Sequence, residues 1–278
     1  MMNVRTSLLL SASLLAASAA AQDPSPGPGD TVGVGISRDP LFTARDGWLA
    51  GGFVLGTLLL FPVDKRVAKE LQLPRNQANR FFRHQATNVR LVTEHAFWIG
   101  GALYVVGRAT DDERMADLGW HGTEAILAGI AITGLGKGLV GRARPYVNID
   151  DPADFKLGRG FRHEEYRSFP SGHTLTAFAA GAAVTAETAR WWPKQKWIIG
   201  TAMYGGATLT GLSRMYNNRH WASDVMMGAA IGTFAGNKIV RYHHSHPKNR
   251  LDRIILGVRL VPGAGEGIRL SLSLAPGR

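Results

Sequence analysis

The 278-residue chain contains no cysteine. No disulfide can form, so packing alone must stabilise the folded protein. The sequence also lacks the 20–50-residue repeat that would indicate a solenoid or propeller. Its longest uncharged apolar run, residues 47–63, is shorter than the roughly 20 residues that a membrane-spanning helix usually needs.

Acidic residues are scarce: 21 Asp and Glu stand against 32 Lys and Arg, for a formal net charge of +11 and a pI near 10.3. The sequence shows no compact Asp/Glu cluster of the kind that holds two metal ions in many phosphatases. The positive charge suits an anionic substrate or surface, such as phospholipid headgroups. Nucleic acid would also be attracted, but no recognisable nucleic-acid-binding module is present, so we predict no such partner.

The N-terminus is typical of an exported protein. Arg5 precedes an apolar run from Leu8 to Ala17, and Ala19-Ala20-Ala21 forms an A-x-A type cleavage site. We predict a signal peptide at residues 1–21, with a retained membrane anchor as the alternative. The proline and glycine that follow predict a flexible lead-in at residues 22–40.

Six apolar runs rich in glycine and alanine follow, and this composition favours closely packed helices. The runs cover residues 47–63, 96–107, 125–136, 174–189, 197–212 and 225–240. They predict a mainly α-helical bundle of about six core helices in a single domain, residues 41–246.

The sequence leaves open whether this bundle is soluble or associated with a membrane. Short runs and a mean hydropathy of −0.05 favour a soluble protein. Tryptophans near the ends of the runs favour a membrane, and we lean towards membrane association. These residues are Trp98, Trp120, Trp191, Trp192 and Trp197.

Residues 247–278 show a different pattern of apolar residues. Two segments with nearly alternating apolar residues, 254–261 and 268–274, flank a glycine-rich turn. This pattern predicts a β-hairpin appendage. Val32, Val34 and Ile36 also alternate, so we expect them to join the hairpin in a small sheet that unites both termini.

Lys137 and Arg144-Pro145 form the first of three segments that carry chemistry. Seven residues are two helical turns, so on a helix both cations would lie on one face about 10 Å apart and could converge on one anion. Pro145 disfavours helical geometry at Arg144, so we expect the helix to end there. A solvated basic helix end is the alternative.

Pro170-Ser171-Gly172-His173 precedes an apolar run and therefore predicts a turn at a helix N-terminus. There Ser171 can cap the helix, Gly172 lets the backbone approach a ligand, and the positive end of the helix dipole favours a phosphate. His173 would lie beside that phosphate. An ordinary cap with an exposed histidine is the alternative.

Ser213-Arg214, His220 and Asp224 form the third segment. The four-residue spacing lets the carboxylate accept a hydrogen bond from one ring nitrogen of His220 while the other nitrogen faces a substrate. That arrangement makes an imidazole a positioned nucleophile. Arg214 adds a guanidinium that can bind phosphate oxygens in bidentate fashion. Alone, such a His–Asp pair is more often a structural surface pair; the other segments favour a site.

A histidine-rich segment, His243-His244-x-His246, follows the last apolar run. Imidazoles at this spacing can bind a transition metal. We prefer a solvated basic tail after the last helix, and we assign no metal ligand in the chain.

In order, the three segments read K-x6-R-P, P-S-G-H and S-R-x5-H-x3-D, with every defining position filled. This pattern resembles the three-part signature of the type 2 phosphatidic acid phosphatase (PAP2) and vanadium haloperoxidase superfamily, across about the middle third of the chain. The resemblance implies that His220 attacks phosphorus and carries a phosphohistidine, that Asp224 orients it, and that His173 protonates the leaving oxygen. It also implies a set of residues that bind the phosphoryl oxygens, without metal or other cofactor: Lys137, Arg144, Ser171, Gly172 and Arg214.

The resemblance therefore implies a metal-independent phosphatase of phosphate monoesters or diphosphates. Export and positive charge point to lipid phosphates at the periplasmic face of a bacterial inner membrane. A soluble periplasmic acid phosphatase of broad specificity is the nearest alternative. A vanadate-dependent haloperoxidase is the next, since residues that bind phosphate can also bind vanadate. Nothing in the sequence specifies an oligomeric state.

Overall fold

The computed structural model describes residues 40–246, residue 255, and two strands at residues 258–262 and 268–272. The predicted signal peptide, the lead-in up to residue 39, and the alternating segment at residues 32–36 lie outside the described residues.

Six long helices and two short ones make up the described bundle, and each long helix contains all or most of one apolar run; the run at 47–63 continues past its helix into a 3₁₀ turn at Phe61–Val63. In chain order they are α1 (Ala44–Leu60), α2 (Asp64–Leu71), α3 (Pro74–Gln77), α4 (Arg80–Ala109), α5 (Glu113–Val140), α6 (Gly172–Trp191), α7 (Lys196–Tyr216) and α8 (Ala222–Ser245). The predicted mainly α fold with about six core helices is confirmed.

Local signals set several helix ends. Thr43 caps α1 in a capping box with Asp46, and the Asp112 carboxylate accepts a hydrogen bond from the Met115 amide at the start of α5. The C-cap of α5 is Gly141, in the left-handed region at φ 58°. A Cβ on Gly141 would lie 2.1 Å from the Lys156 carbonyl oxygen, so the tight exit from α5 requires glycine.

Two helices are much longer than the runs that predicted them. The runs at 96–107 and 125–136 are the apolar parts of helices of 30 and 28 residues. Charged side chains in the N-terminal half of each helix interrupt the apolar run but not the helix. Run length was therefore the wrong measure of whether these helices could cross a membrane.

Two helical segments are long and apolar enough to be candidate membrane spans, Ala44–Leu71 and Glu113–Val140. In the most apolar 18-residue stretch of each segment, only 11% and 33% of the residues, respectively, are buried in the protein. The exposed side chains include Leu59 on α1 and Leu135 on α5, at 66% and 59% exposure. Apolar surface on this scale is typical of a face that meets lipid or another protein.

The helix α6 lies at the centre of the bundle and packs against α5, α7 and α8. One buried cluster joins Phe53 of α1, Phe178 of α6, Tyr204 of α7 and Ala229 of α8. A second buried cluster joins Ile126 of α5 to Val240 of α8, and α6 contributes residues to both clusters.

The contact between α6 and α8 is made backbone to backbone. Glycines at four-residue spacing on α8 face the carbonyls of α6, because a Cβ on Gly228, Gly232 or Gly236 would lie 2.4–2.5 Å from a carbonyl oxygen of that helix. The predicted close approach of small-residue helices is confirmed here. This approach holds the N-terminal ends of α6 and α8 side by side.

The two C-terminal strands pair antiparallel, as the alternating segments predicted. Strand β1 (Val258–Pro262) pairs with β2 (Ile268–Leu272), with Leu260 opposite Leu270. The appendage meets the bundle at α4, where the Tyr104 hydroxyl donates to the Ile255 carbonyl oxygen at 2.5 Å.

The close contact between α6 and α8 can be tested with a matched pair of glycine variants. Gly232→Ala places a Cβ 2.4 Å from the Leu175 carbonyl oxygen, so the helices must separate, and we expect the free energy of unfolding to fall by about 1–3 kcal/mol. Gly205→Ala, on α7 with nothing within 4 Å, should hold or raise it by up to about 1 kcal/mol, because alanine is the better helix former. Thermal unfolding of both variants checks this. Equal melting temperatures would contradict the close packing.

Candidate active site

The three sequence segments meet at one end of the bundle. This end is formed by the C-termini of α5 and α7, the loop at residues 141–171, and the N-termini of α6 and α8. The Ser171 amide donates to the Asp224 carbonyl oxygen at 3.0 Å, which ties the second segment to the third. The predicted site residues therefore lie around one small volume.

Lys137 and Arg144 reach this volume differently from the sequence prediction. The helix ends at Val140, so Arg144 lies in the loop rather than two turns along the same helical face. Gly141, and not Pro145, ends the helix. Lys137 is on the last turn of α5, and its ammonium donates to the Arg167 carbonyl oxygen at 2.8 Å. Arg144 is 8% exposed and its Nη2 donates to Glu164 at 2.7 Å.

Ser171 is the N-cap residue of α6, as predicted, but its side chain does not cap the helix. Its hydroxyl lies 2.8 Å from the Thr174 hydroxyl instead. Gly172 faces the site, where a Cβ would lie 3.5 Å from Cε of Lys137. The first-turn amides and the positive end of the helix dipole therefore lie next to the lysine side chain.

His220 and Asp224 come together as predicted, at a longer distance. His220 Nδ1 is 3.5 Å from Asp224 Oδ2, beyond an ordinary hydrogen bond. That oxygen accepts from the Ser168 hydroxyl at 2.5 Å and from the Trp221 amide at 2.9 Å. The carboxylate is thus fixed by its own donors, and a small shift of the imidazole would complete the contact.

The His220 imidazole is neutral in this environment. The side chain is almost fully buried, and burial, assisted by the positive charges of Lys137 and Arg144, lowers its pKa to about 3, against the opposing effect of Asp224. A neutral imidazole keeps a lone pair. Its second ring nitrogen, turned away from Asp224, can act as a nucleophile at ordinary pH.

His173 lies in the first turn of α6 and pairs with a residue that the sequence did not reveal. Its Nε2 is 3.2 Å from the Glu94 carboxylate of α4. Burial and the positive charge of Arg214 lower its pKa to about 4, although Glu94 acts in the opposite direction. A bound dianion would offset the neighbouring positive charge and raise this pKa.

Two guanidinium groups carry donors without protein partners. Among the described residues, Nε of Arg144 and Nε of Arg214 are buried and make no hydrogen bond. A buried unsatisfied donor costs about 1–3 kcal/mol, more on a charged group, so native proteins rarely retain one without a use. Both donors belong to predicted anion-binding residues. Their chemistry suits an oxyanion held between the two arginines.

Sequence reasoning missed the residues that hold Asp224. The guanidinium of Arg142, fully buried, donates to Asp224 at 2.6 Å, to Asp64 at 2.8 Å and to the Ser223 hydroxyl at 2.7 Å. Arg142 lies two residues before Arg144, inside the first segment, so the sequence analysis could have included it as a candidate. Asp64 lies 78 residues earlier in the chain, and no local pattern marks it.

Comparisons with known proteins agree with the predicted resemblance. Residues 119–248 match the family model of the PAP2 superfamily. A lipid A 1-phosphatase from Porphyromonas gingivalis is 48% identical over 69 residues, which are 25% of this chain and 15% of that protein. A lipid A 1-phosphatase from Rhizobium etli is 27% identical over 205 residues, 72% of this chain and 71% of that protein.

A solved structure shares the fold. The crystal structure of a transmembrane PAP2 type phosphatidylglycerolphosphate phosphatase from Bacillus subtilis matches with a TM-score of 0.54 at 20% identity, covering 72% of this chain and 98% of that one. The predicted PAP2-like helical fold is thereby confirmed.

The unpartnered guanidinium donors predict an anion affinity that can be measured without any turnover. Arg144→Gln and Arg214→Gln each remove a charged donor, so we expect inorganic phosphate to bind roughly 10- to 100-fold more weakly, as the loss of a charge-assisted hydrogen bond implies. Arg75→Gln is the control, because Arg75 is exposed and pairs with Glu70. Isothermal titration with phosphate checks this. The arginine assignment would be wrong if all three variants bound phosphate like the parent.

Proposed function

We propose that this chain, whose residues 119–248 match the family model of the PAP2 superfamily, is a metal-independent phosphatase that hydrolyses lipid phosphates through a phosphohistidine. One observation carries the proposal: the buried imidazole of His220 lies beside Asp224 and close to the positive charges of Lys137 and Arg144, and the buried Nε donors of Arg144 and Arg214 have no hydrogen-bond partner among the described residues. This arrangement suits attack on a phosphoryl group whose negative charge the cations hold.

In the first step, the ring nitrogen of His220 that faces away from Asp224 attacks phosphorus and forms a P–N bond. The bond from phosphorus to the lipid oxygen breaks, and that oxygen takes a proton from His173, which has become an imidazolium on binding the phosphoryl dianion. The imidazole becomes a cation, and the negative charge of Asp224 stabilises it. Ser168 and Arg142 keep the carboxylate in position for this role.

In the second step, His173 takes a proton from water, and the resulting hydroxide attacks phosphorus. The P–N bond breaks, inorganic phosphate leaves, and both histidines return to their starting states. Lys137, Arg144 and Arg214 hold the three equatorial oxygens while charge builds up in each transition state. Amides of the first turn of α6 add to this field; the Ser171 amide does not, because it already donates to Asp224.

Three observations support a lipid as the substrate. Two candidate spans expose apolar faces, the net charge is +11, and the curated relatives are lipid A 1-phosphatases. A cleft of about 450 Å³ beside Asp64 adds basic groups at the same end of the bundle, although none of the predicted site residues lines it. Lys65, Arg66 and Lys69 line it together with Glu70, and the two lysines also pair with Asp150. The net positive charge of this lining can attract an anionic headgroup while the phosphate enters the site.

We further propose that the protein works at the periplasmic face of a bacterial inner membrane, as a domain at residues 41–246 that follows a signal peptide. The soluble alternative fits less well, because a water-soluble bundle would not leave so many leucines and isoleucines of α1 and α5 exposed. The site would then open at the membrane surface, where a lipid phosphate is presented.

The covalent step gives the most direct test of the nucleophile. His220→Ala should abolish turnover, by at least about 10³-fold, because it removes the ring nitrogen on which the P–N bond is proposed to form. Brief reaction with ³²P-labelled substrate followed by denaturation should trap acid-labile label on the parent and on His84→Ala, an exposed histidine of α4, but not on His220→Ala. Label on the folded His220→Ala protein would contradict the mechanism.

The proposed acid role of His173 predicts a dependence on the leaving group. His173→Ala should slow an alkyl phosphate far more than an aryl phosphate whose oxygen departs without a proton. Glu94→Gln should show the same pattern more weakly, because Glu94 only positions His173 and is partly exposed. Rates are compared with the parent on both esters. If His173→Ala slowed both esters equally, His173 would be a phosphate-binding group and not the acid.

A further inference from the structure

A second cluster of ligating side chains lies at the opposite end of the bundle. His121 of α5, Glu187 of α6 and His244 of α8 have their nitrogen and oxygen atoms within 4.8 Å of one another. Glu187 is 14 residues beyond His173 on α6, a rise of about 21 Å. The cluster is therefore separate from the phosphate site.

The geometry points to a metal site, and we propose that these three residues bind one Zn²⁺ ion that stabilises the end of the bundle. Two imidazoles and one carboxylate from three different helices are a ligand set that zinc accepts. With no cysteine in the chain, nitrogen and oxygen donors are the ones available. An ion held between α5, α6 and α8 would clamp three helices whose other ends form the catalytic site.

The ligand atoms lie slightly closer together than zinc would hold them. His121 Nδ1 is 2.5 Å from Glu187 Oε1, and His244 Nε2 is 3.0 Å from each Glu187 oxygen. Around a tetrahedral ion with bonds of about 2.0–2.2 Å, ligand atoms lie roughly 3.3–3.6 Å apart. Zinc would displace the shared proton between His121 and Glu187 and move these atoms apart by about 1 Å.

Burial and neighbouring charge favour an ion at this place. The side chains of His121 and Glu187 are 2% and 0% exposed, so the carboxylate needs a cation, whereas His244 is 20% exposed and leaves a path for entry. The His243 ring stacks on His121 at 4.3 Å and contacts Glu124 at 2.6 Å. This outer layer orients the ligand ring and supplies a second negative charge.

The structure also corrects the sequence expectation for this segment. His243 is buried and lies inside the last turn of α8, so His243 and His244 belong to the helical bundle rather than to a solvated tail.

Zinc content of the purified full-length protein tests the site. Protein stripped with a chelator is given Zn²⁺, desalted, and analysed by elemental mass spectrometry. We expect about one zinc per chain in the parent and in His246→Ala, a control in the same histidine segment, and below about a tenth of this in His244→Ala and Glu187→Gln. Glu187→Gln preserves side-chain volume, so loss of zinc need not mean loss of fold; circular dichroism confirms this.

Stability and spectroscopy give independent readouts. Zinc at about 100 times its Kd should raise the Tm of the parent by roughly 5 °C and leave that of His244→Ala unchanged. Co²⁺ in the parent should show the visible absorption of a four-coordinate site, lost in His244→Ala. A folded parent that retains no zinc, or equal zinc in the parent, His244→Ala and Glu187→Gln, would overturn the proposal and leave a hydrogen-bonded His–Glu–His cluster.

Turnover at the proposed catalytic site should not depend on zinc. At 25 °C we expect the same turnover with and without zinc, since the two sites are about 21 Å apart. Zinc-dependent turnover would count against the metal-independent mechanism while supporting zinc binding, so the two proposals fail separately.

Discussion

The fully buried guanidinium of Arg142 is the interaction on which the site depends. All three of its nitrogens donate, and their acceptors come from three parts of the chain: Asp64 of α2, Pro152 of the loop, and Ser223 with Asp224 of α8. Removing one partner of such a buried pair typically costs about 3–5 kcal/mol, because the remaining charge stays unpaired. This network fixes the loop that carries Arg144 and the carboxylate behind His220, so it sets the geometry of both the proposed anion-binding group and the proposed nucleophile.

Much of this site could be predicted from the spacing of residues that are close together in the sequence. The four-residue spacing of His220 and Asp224 predicted their pairing, and the P-S-G-H segment predicted a helix N-terminus at Gly172, because both depend on contacts within one or two helical turns. Features that depend on distant segments were not predictable. Asp64 and Glu94 come from other helices, and the sequence offered no signal that they would meet Arg142 and His173. The exit from α5 was assigned to Pro145 although a left-handed glycine four residues earlier ends the helix.

The electrostatics of the site suit an anion that arrives with its own charge. Lys137, Arg144 and Arg214 crowd positive charge around two imidazoles, and this crowding, with burial, keeps both histidines neutral. In the proposed mechanism a phosphoryl dianion would reverse the balance: it would satisfy the guanidinium donors and favour a proton on His173, the proposed acid. Affinity for the anion and the protonation of the acid would thus be two effects of one bound ligand.

The central claim is that a ring nitrogen of His220 is the nucleophile that attacks phosphorus, while Lys137, Arg144 and Arg214 bind the phosphoryl oxygens. A crystal structure of the protein with orthovanadate, which adopts the five-coordinate geometry of the transferring phosphoryl group, tests it most directly. The account predicts vanadium bonded to the His220 nitrogen that faces away from Asp224, with its equatorial oxygens contacted by Arg144 and Arg214. Vanadate bonded to His173, or held away from both histidines, would contradict it.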